Sequence, residues 1–204
     1  MVKRDSAPRL PAAERRLQIL EAVLPVFARR GLEGAGTRDL AAAARVSEPL
    51  LYRHFGDKLG LFCAAVAHAA ERLADLPAQA VKGRRKVAGR LEALASGLHT
   101  WLGSHRAELL VLAAAASAVE DARVREAASA ALEQLGEALV AALPAEGLRP
   151  GVRRSTAGYF LLQVGLGGAQ LHPVPLTVAD DPGYSREVVD VLLHGLVRPT
   201  RGGV

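Results

Sequence analysis

The chain has 204 residues, of which 50% are hydrophobic and 23% are charged, a composition of folded proteins rather than of disordered segments. Lysine and arginine number 26 against 21 aspartates and glutamates. The resulting formal net charge of +5 permits contact with nucleic acid without requiring it. Cys63 is the only cysteine, which excludes an intrachain disulfide and any multi-cysteine zinc or iron–sulfur site.

The amino-terminal residues are basic, but no apolar run follows them, so no export signal is predicted. An uncharged stretch over 155–179 contains two prolines, and its apolar part is too short to cross a bilayer. We therefore expect a cytoplasmic protein that does not contact a membrane.

In chain order, residues 1–11 contain two prolines and predict a flexible basic arm. A first helix is predicted over 12–30, where apolar residues recur at helical spacing, and Gly31 is expected to end it. Alternation typical of strands is nearly absent from the whole chain, which predicts an all-α fold.

Two short helices are predicted next, followed by a fourth helix. Thr37, Ser47 and Asp57 are the expected N-caps of the second, third and fourth helices. Leu51 and Phe55 lie four residues apart and predict the buried face of the third helix. Three helices with a tight turn between the last two make a helix-turn-helix unit, although a small bundle without a partner fits this pattern equally well.

The rest of the chain predicts a larger helical domain over 59–204. Apolar periodicity, caps and helix-ending prolines and glycines place its longer helices at about 84–103, 108–119, 121–143, 151–170 and 185–198. No internal repeat of fixed period is present.

Polar and basic residues on the outward face of the third helix favour a DNA-binding function. Tyr52, Arg53 and His54 precede Lys58, and together they offer hydroxyl, guanidinium, imidazole and ammonium donors suited to phosphate oxygens. Residues 1–58 carry 11 basic and 7 acidic residues, whereas 59–204 carry 15 and 14. Most of the positive excess therefore lies in the helix-turn-helix part.

The stretch from Ile19 to Val66 resembles the amino-terminal domain of tetracycline-repressor (TetR) family regulators, most specifically in "VSEPLLYRHFGDK" over 46–58. The resemblance implies a DNA-binding domain over 12–58 and an effector-binding and dimerisation domain over 59–204. It implies a homodimeric transcriptional regulator, expected to be a repressor that a small apolar effector releases from a palindromic double-stranded operator.

The same resemblance implies roles for individual residues. Phosphate contacts are expected from Thr37, Tyr52, His54 and Lys58, base contacts from Ser47, Glu48, Pro49 and Arg53, and further DNA contacts from Arg38 and Arg45. Departures from the family pattern are Gly36 for a second threonine, Arg45 for the turn glycine, Pro49 for a small residue, and Leu59 and Gly60 for polar residues. Arg45 is expected to be strained if the turn requires a positive φ.

Two carboxy-terminal helices are expected to form the dimer interface. The apolar stripe of the last helix comprises Val188, Val189, Leu192, Leu193 and Leu196. Gly158 and Gly165, with Gly167 and Gly168, would allow close approach along the preceding helix. The alternative is that both helices pack only on the core of their own chain.

An effector pocket is expected between these two ends of the molecule. Its predicted lining comprises Leu94, Leu98, Trp101, Leu102, Leu112, Ala116 and Gln163. Plain core packing is the alternative for each of them. A lining rich in leucine and alanine favours an apolar effector.

No cofactor is expected. No metal is expected either, because His99 and His105 are six residues apart and do not share a helix face. An enzyme is not expected either, since the chain lacks a G-x-S-x-G elbow, an H-E-x-x-H pair and a phosphate-cradling glycine loop. An all-helical enzyme and an interaction protein with a non-functional helix-turn-helix are the alternatives.

Overall fold

The computed structural model describes residues 11–171 apart from positions 119, 145, 147 and 149. This part of the chain is helical, as predicted. Its helices are α1 (Ala12–Gly34), α2 (Thr37–Ala43), α3 (Glu48–Phe55), α4 (Lys58–Ala74), α5 (Leu76–Ala80), α6 (Val87–Ser104), α7 (Arg106–Ser117), α8 (Ala122–Ala142) and α9 (Arg154–Leu171).

The apolar stripe of α1 forms the centre of the amino-terminal unit. Ile19, Val23 and Phe27 are fully buried there, together with Leu40 of α2 and Leu51 of α3. Their burial supplies the apolar contacts that hold three helices, two of them very short, in one unit.

Gly31 interrupts α1, as its sequence position predicts. Its φ of 65° and ψ of −173° are not helical, so the regular part of α1 ends there and a short turn leads to α2. Pro25 lies inside α1 and is exposed.

Side-chain caps begin three of the helices. Ser47 Oγ accepts from the Leu50 amide at 3.3 Å, and Asp57 Oδ1 accepts from the Gly60 amide at 2.5 Å. Asp121 caps α8 in the same way. The prediction that Thr37 caps α2 is wrong: Thr37 is the first helical residue, Gly36 is the N-cap, and no side chain caps this end.

Helix α4 joins the amino-terminal unit to the larger helical body, since it packs against α1, α3, α7 and α8. Phe62 meets Phe27 of α1 edge to face, with 5.0 Å between ring centroids. Helix α4 ends at Ala74, and Pro77 lies in the first turn of the short helix α5, where its missing N–H costs little.

A buried carboxylate lies at the contact of α1, α4 and α7. Glu108 of α7 is only 6% exposed, and its Oε1 lies 2.8 Å from Nε of Arg72 on α4. Glu21 of α1 approaches the same guanidinium at 3.9 Å. Pairing with Arg72 offsets the cost of removing Glu108 from water.

Glycines bring α9 close to its neighbours within the same chain. A Cβ on Gly158 would lie 2.5 Å from Cγ2 of Val140, and one on Gly165 would lie 2.9 Å from Cδ1 of Leu98. Both glycines are buried. Their assignment to the dimer interface is therefore corrected, because their close contacts are with α8 and α6 of their own chain.

The exposed side of α9 instead carries two aromatic rings, Tyr159 at 40% exposure and Phe160 at 43%. The predicted interface stripe on the last helix, Val188 to Leu196, lies outside the described residues, and so do residues 1–10 of the predicted basic arm over 1–11. Within the described helices, none combines the length and hydropathy needed to cross a membrane.

Candidate nucleic-acid interface

The turn between α2 and α3 determines how α3 is presented. Arg45 has a φ of 52°, which confirms that the arginine occupies a left-handed turn position usual for glycine. Amide hydrogen bonds from Arg45 to the Ala42 carbonyl and from Val46 to the Ala41 carbonyl close the turn. Arg45 is exposed to solvent.

The amino-terminal part of α3 borders a cleft of about 510 Å³. Its lining contains four residues predicted to contact DNA, namely Ser47, Pro49, Arg53 and His54. Leu50 and two residues of α1, Ala12 and Arg15, complete it. Sequence reasoning missed Ala12 and Arg15, because nothing in a linear pattern shows that the first turn of α1 lies beside α3.

Two predicted phosphate contacts form a hydroxyl pair. Thr37 Oγ1 at the start of α2 lies 2.9 Å from the Tyr52 hydroxyl on α3, and both residues are half-buried. One hydroxyl donates to the other, so the pair retains a proton and lone pairs for a further partner. The bond holds α2 and α3 in a fixed relation at the surface where phosphates are expected.

The acidic residue of α3 does not line the cleft. Glu48 Oε1 lies 3.8 Å from Nε of Arg38, which extends from α2 with a 95% exposed side chain. The ion pair partly balances a negative charge that would otherwise repel phosphate oxygens.

Lys58 occupies the first turn of α4, as the sequence pattern predicts. Its ammonium donates to the Glu33 carbonyl at 3.4 Å, and the residue is half-buried. An ammonium has three protons, so this bond orients Lys58 while other donors stay available.

Arg16 of α1 holds the carboxy-terminal end of α3. Its Nη1 donates to the His54 carbonyl at 2.6 Å, and the guanidinium carbon lies 4.2 Å from the centre of the Phe55 ring. A cation at a helix carboxy terminus is favourable because the last carbonyls carry partial negative charge. This residue was also missed from sequence, since its partners are 38 and 39 residues away.

The predicted effector-pocket residues do not all face one interior space. Leu94, Leu98 and Leu112 are buried, and Trp101 and Leu102 are half-buried, which is compatible with either a pocket or core packing. Ala116 and Gln163 are exposed, unlike the other five residues, and the pocket lining stays a prediction. In the part of the chain that is described, no group of three metal-binding side chains occurs.

These features define a class of protein: a helix-turn-helix unit carried on a larger helical body. The family of bacterial regulatory proteins called tetR matches residues 19–65, which include the whole of α2 and α3. Over these residues the chain is similar to TetR-family transcriptional regulators.

Individual relatives show the same similarity. The chain is 42% identical over 74 residues to the transcriptional activator FasR of Mycolicibacterium smegmatis, covering 36% of this chain and 34% of that protein. It is 41% identical over 61 residues to the transcriptional repressor AcnR of Corynebacterium glutamicum, covering 30% and 32%. The matched stretch thus spans about a third of these relatives.

The similarity of fold extends further than the similarity of sequence. A transcriptional regulator from Rhodococcus sp. RHA1 superposes with a TM-score of 0.71 at 27% identity, over 90% of this chain and 99% of that one. The helical body is therefore shared with a regulator whose sequence has largely diverged.

Proposed function

We propose that this protein is a ligand-responsive transcriptional regulator that binds a palindromic DNA operator as a homodimer. The observation that carries the proposal is the set of polar side chains around α3, oriented by contacts from α1 and α2. Ser47, Pro49, Arg53 and His54 share one cleft, and the hydroxyls of Thr37 and Tyr52 are paired beside it.

In this proposal α3 enters the major groove and α2 and α4 contact the backbone on either side. Thr37, Tyr52, His54 and Lys58 bind phosphates, which fixes the register of α3 without reading sequence. Ser47, Pro49 and Arg53 meet base edges, and Arg53 suits the two acceptors of a guanine. Glu48 is also proposed to meet a base edge. In addition, its contact with Arg38 places that arginine near the DNA backbone.

A homodimer is proposed because one recognition helix reads few base pairs. Two copies on a two-fold axis place their helices in successive major grooves about 34–36 Å apart. The outer side of α9 supports this arrangement: Tyr159 and Phe160 are exposed, and α9 has no charged residue after Arg154. The stripe of the last helix, Val188 to Leu196, is proposed to complete the interface.

A small apolar effector is proposed to bind between α6 and α7, near Leu94, Leu98, Trp101 and Leu112. Such a ligand lowers operator affinity only if it binds more tightly to the conformation in which the two α3 helices are misplaced. DNA then lowers ligand affinity by the same factor. Release by the effector makes the protein a repressor in this proposal, although its relatives include a named activator and a named repressor. Since an operator lies in the bacterial cytoplasm, the protein is proposed to act there.

Selection of duplexes from random sequence with the full chain tests the proposal. We expect a palindromic site to be recovered. If six phosphates are neutralised per dimer, the logarithm of the binding constant should fall with the logarithm of salt concentration with a slope of about −5. Absence of binding to every duplex at low salt would reject the proposal and favour an interaction protein or an enzyme.

A further inference from the structure

The first turn of α8 reaches the start of α4 through two charged side chains. Arg123 Nη1 donates to Asp57 Oδ2 at 2.9 Å, and Nη2 donates to Asp57 Oδ1 at 3.4 Å, across 66 positions of sequence. Two parallel contacts fix direction as well as distance, unlike the single contact of an ammonium.

The Asp57 carboxylate also caps α4, so the two contacts share one group. Its Oδ1 accepts from the Gly60 amide, and the side-chain hydrogen bond from Arg123 and that amide hold the pKa of Asp57 below its ordinary value. The carboxylate is therefore charged at neutral pH. Any displacement of Arg123 acts directly on the residue that begins α4, next to Lys58.

Gly60 explains how three elements meet at this point. A Cβ there would lie 2.2 Å from the Phe55 carbonyl oxygen and 3.1 Å from Nη2 of Arg123. The absence of a side chain therefore allows the end of α3, the start of α4 and the guanidinium from α8 to approach one another. This gives a physical reason for the glycine that departs from the family pattern.

Arg123 is equally well fixed on its own helix. Its amide donates to Asp121 Oδ1 at 2.8 Å, and the Val124 amide donates to the same oxygen at 3.2 Å. Val124 is fully buried. The base of the Arg123 side chain thus follows α8, which belongs to the helical body rather than to the DNA-binding unit.

We propose that Arg123 is a positioning residue for DNA binding: through its two-point contact with Asp57, it makes the start of α4 and Lys58 follow the start of α8. The inference rests on the proposed function. Both side chains are about half exposed, at 54% and 56%. Exposed pairs contribute little to stability, so the expected effect on DNA affinity is about threefold to tenfold rather than complete loss.

Four variants of the full chain test this proposal: Arg123→Gln, Arg123→Lys, Asp57→Asn and the double variant Arg123→Gln with Asp57→Asn. Asparagine retains an oxygen that can cap α4 but removes the charge. Arg85→Gln is the matched control, since it removes one charge from an exposed position in the loop before α6. The probe is a duplex selected with the wild-type chain, and affinity is measured by fluorescence anisotropy over a range of salt concentrations.

We expect Arg123→Gln to weaken binding about threefold to tenfold, Arg123→Lys to weaken it less, and Arg85→Gln to change it by less than about twofold. The double variant should bind DNA no more weakly than whichever single variant, Arg123→Gln or Asp57→Asn, binds more weakly. The reason is that both substitutions remove the same interaction. The salt slope should match that of the wild type because Arg123 does not neutralise a phosphate.

Additive losses in the double variant, or a salt slope reduced by about one per protomer, would overturn the proposal. So would an unchanged affinity in Arg123→Gln. Hydrogen exchange over 56–62 is measured without DNA and should be faster in Arg123→Gln than in Arg85→Gln; equal rates also overturn it. If the wild-type chain binds no duplex, the proposed function fails, and exchange alone judges whether Arg123 holds the start of α4.

Discussion

Tyr52 shows how one side chain serves both the folded unit and the proposed contact with DNA. Its hydroxyl meets Thr37 across the α2–α3 turn, while its half-buried ring packs on the hydrophobic core. Removal of the hydroxyl leaves the ring contacts in place. Such a change therefore separates the polar role of Tyr52 from its packing role.

We expect Tyr52→Phe to weaken binding to selected and random duplexes alike, by about tenfold, since a hydrogen bond to a charged phosphate is lost. The salt slope should stay near the wild-type value because no charge is removed. Thr100→Val on α6 is the control, because it also removes one hydroxyl, which bonds only to the Ser96 carbonyl of its own helix, and it should bind as the wild type does. Anisotropy titrations measure both variants, and a loss confined to the selected duplex would contradict a phosphate contact.

The backbone conformation and the side-chain charge at position 45 favour different residues. Its left-handed backbone favours glycine, while its charge lies beside the proposed DNA surface. Arg45→Gly should raise the free energy of unfolding by about 0.5 kcal/mol. This is the net result of relieving backbone strain in the folded state and of increasing the entropy of the unfolded chain, which opposes it. It should also lower duplex affinity and reduce the salt slope.

Arg45→Ala separates these two effects. It removes the same charge but leaves a Cβ in the left-handed region, so it should lose affinity to a similar degree without the gain in stability. Urea denaturation gives the stabilities, and anisotropy gives the affinities. Equal stability of the glycine and alanine variants would show that the turn is not strained by arginine.

At the scale of helices, the contact between α3 and α4 depends on the absence of one side chain. Gly60→Ala places a Cβ against a backbone carbonyl, which can move only with α3 itself. We expect a loss of about 2 kcal/mol in the free energy of unfolding, the usual size for overpacking. Weaker duplex binding should accompany it because α3 is displaced.

Gly89→Ala is the control for that variant. Gly89 lies in α6, and nothing lies within 4 Å of a Cβ built there. Alanine is the better helix former, so the variant should be more stable by up to about 1 kcal/mol. Thermal and urea denaturation measure both changes, and similar behaviour of the two variants would contradict the steric account of Gly60.

The helices themselves could be predicted from sequence to the extent that local signals encode them. Local sequence determines the caps at Ser47 and Asp57 and the break at Gly31. The structure contains all three as predicted. Thr37 carries the same local signal, yet its hydroxyl bonds to Tyr52 fifteen residues away. The Thr37 hydroxyl thus bonds to Tyr52 rather than to a backbone amide of α2, and no sequence pattern around Thr37 predicts this partner.

At the scale of the whole molecule, small residues proved ambiguous from sequence. Glycines along a helix predict close approach but not which surface approaches. Gly158 and Gly165 were predicted to meet a second subunit, whereas their close neighbours are Val140 and Leu98 of the same chain. The contacts of Arg16, Arg123 and Glu108 likewise join helices distant in sequence, so only the packed structure reveals them.

The buried contact of α1, α4 and α7 links the amino-terminal unit to the helical body, and its energetics can be measured. Glu108 is buried and lies 2.8 Å from Arg72, whereas Glu21 is exposed and lies 3.9 Å from the same guanidinium. Glu108→Gln keeps the shape but removes the charge that compensates Arg72. We expect the free energy of unfolding to fall by about 2 kcal/mol, less than for a fully buried pair, because water still reaches the arginine.

Glu21→Gln removes a charge from the same cluster at its exposed edge and should cost less than about 0.5 kcal/mol. Urea denaturation at neutral pH compares the two variants, with the slope of the transition as a check that the unfolded states are alike. Equal losses would mean that Arg72 is stabilised by the two carboxylates together rather than by the buried one. In that case the junction of the two parts would depend on exposed charges and would weaken with salt, which the same measurement at high ionic strength would detect.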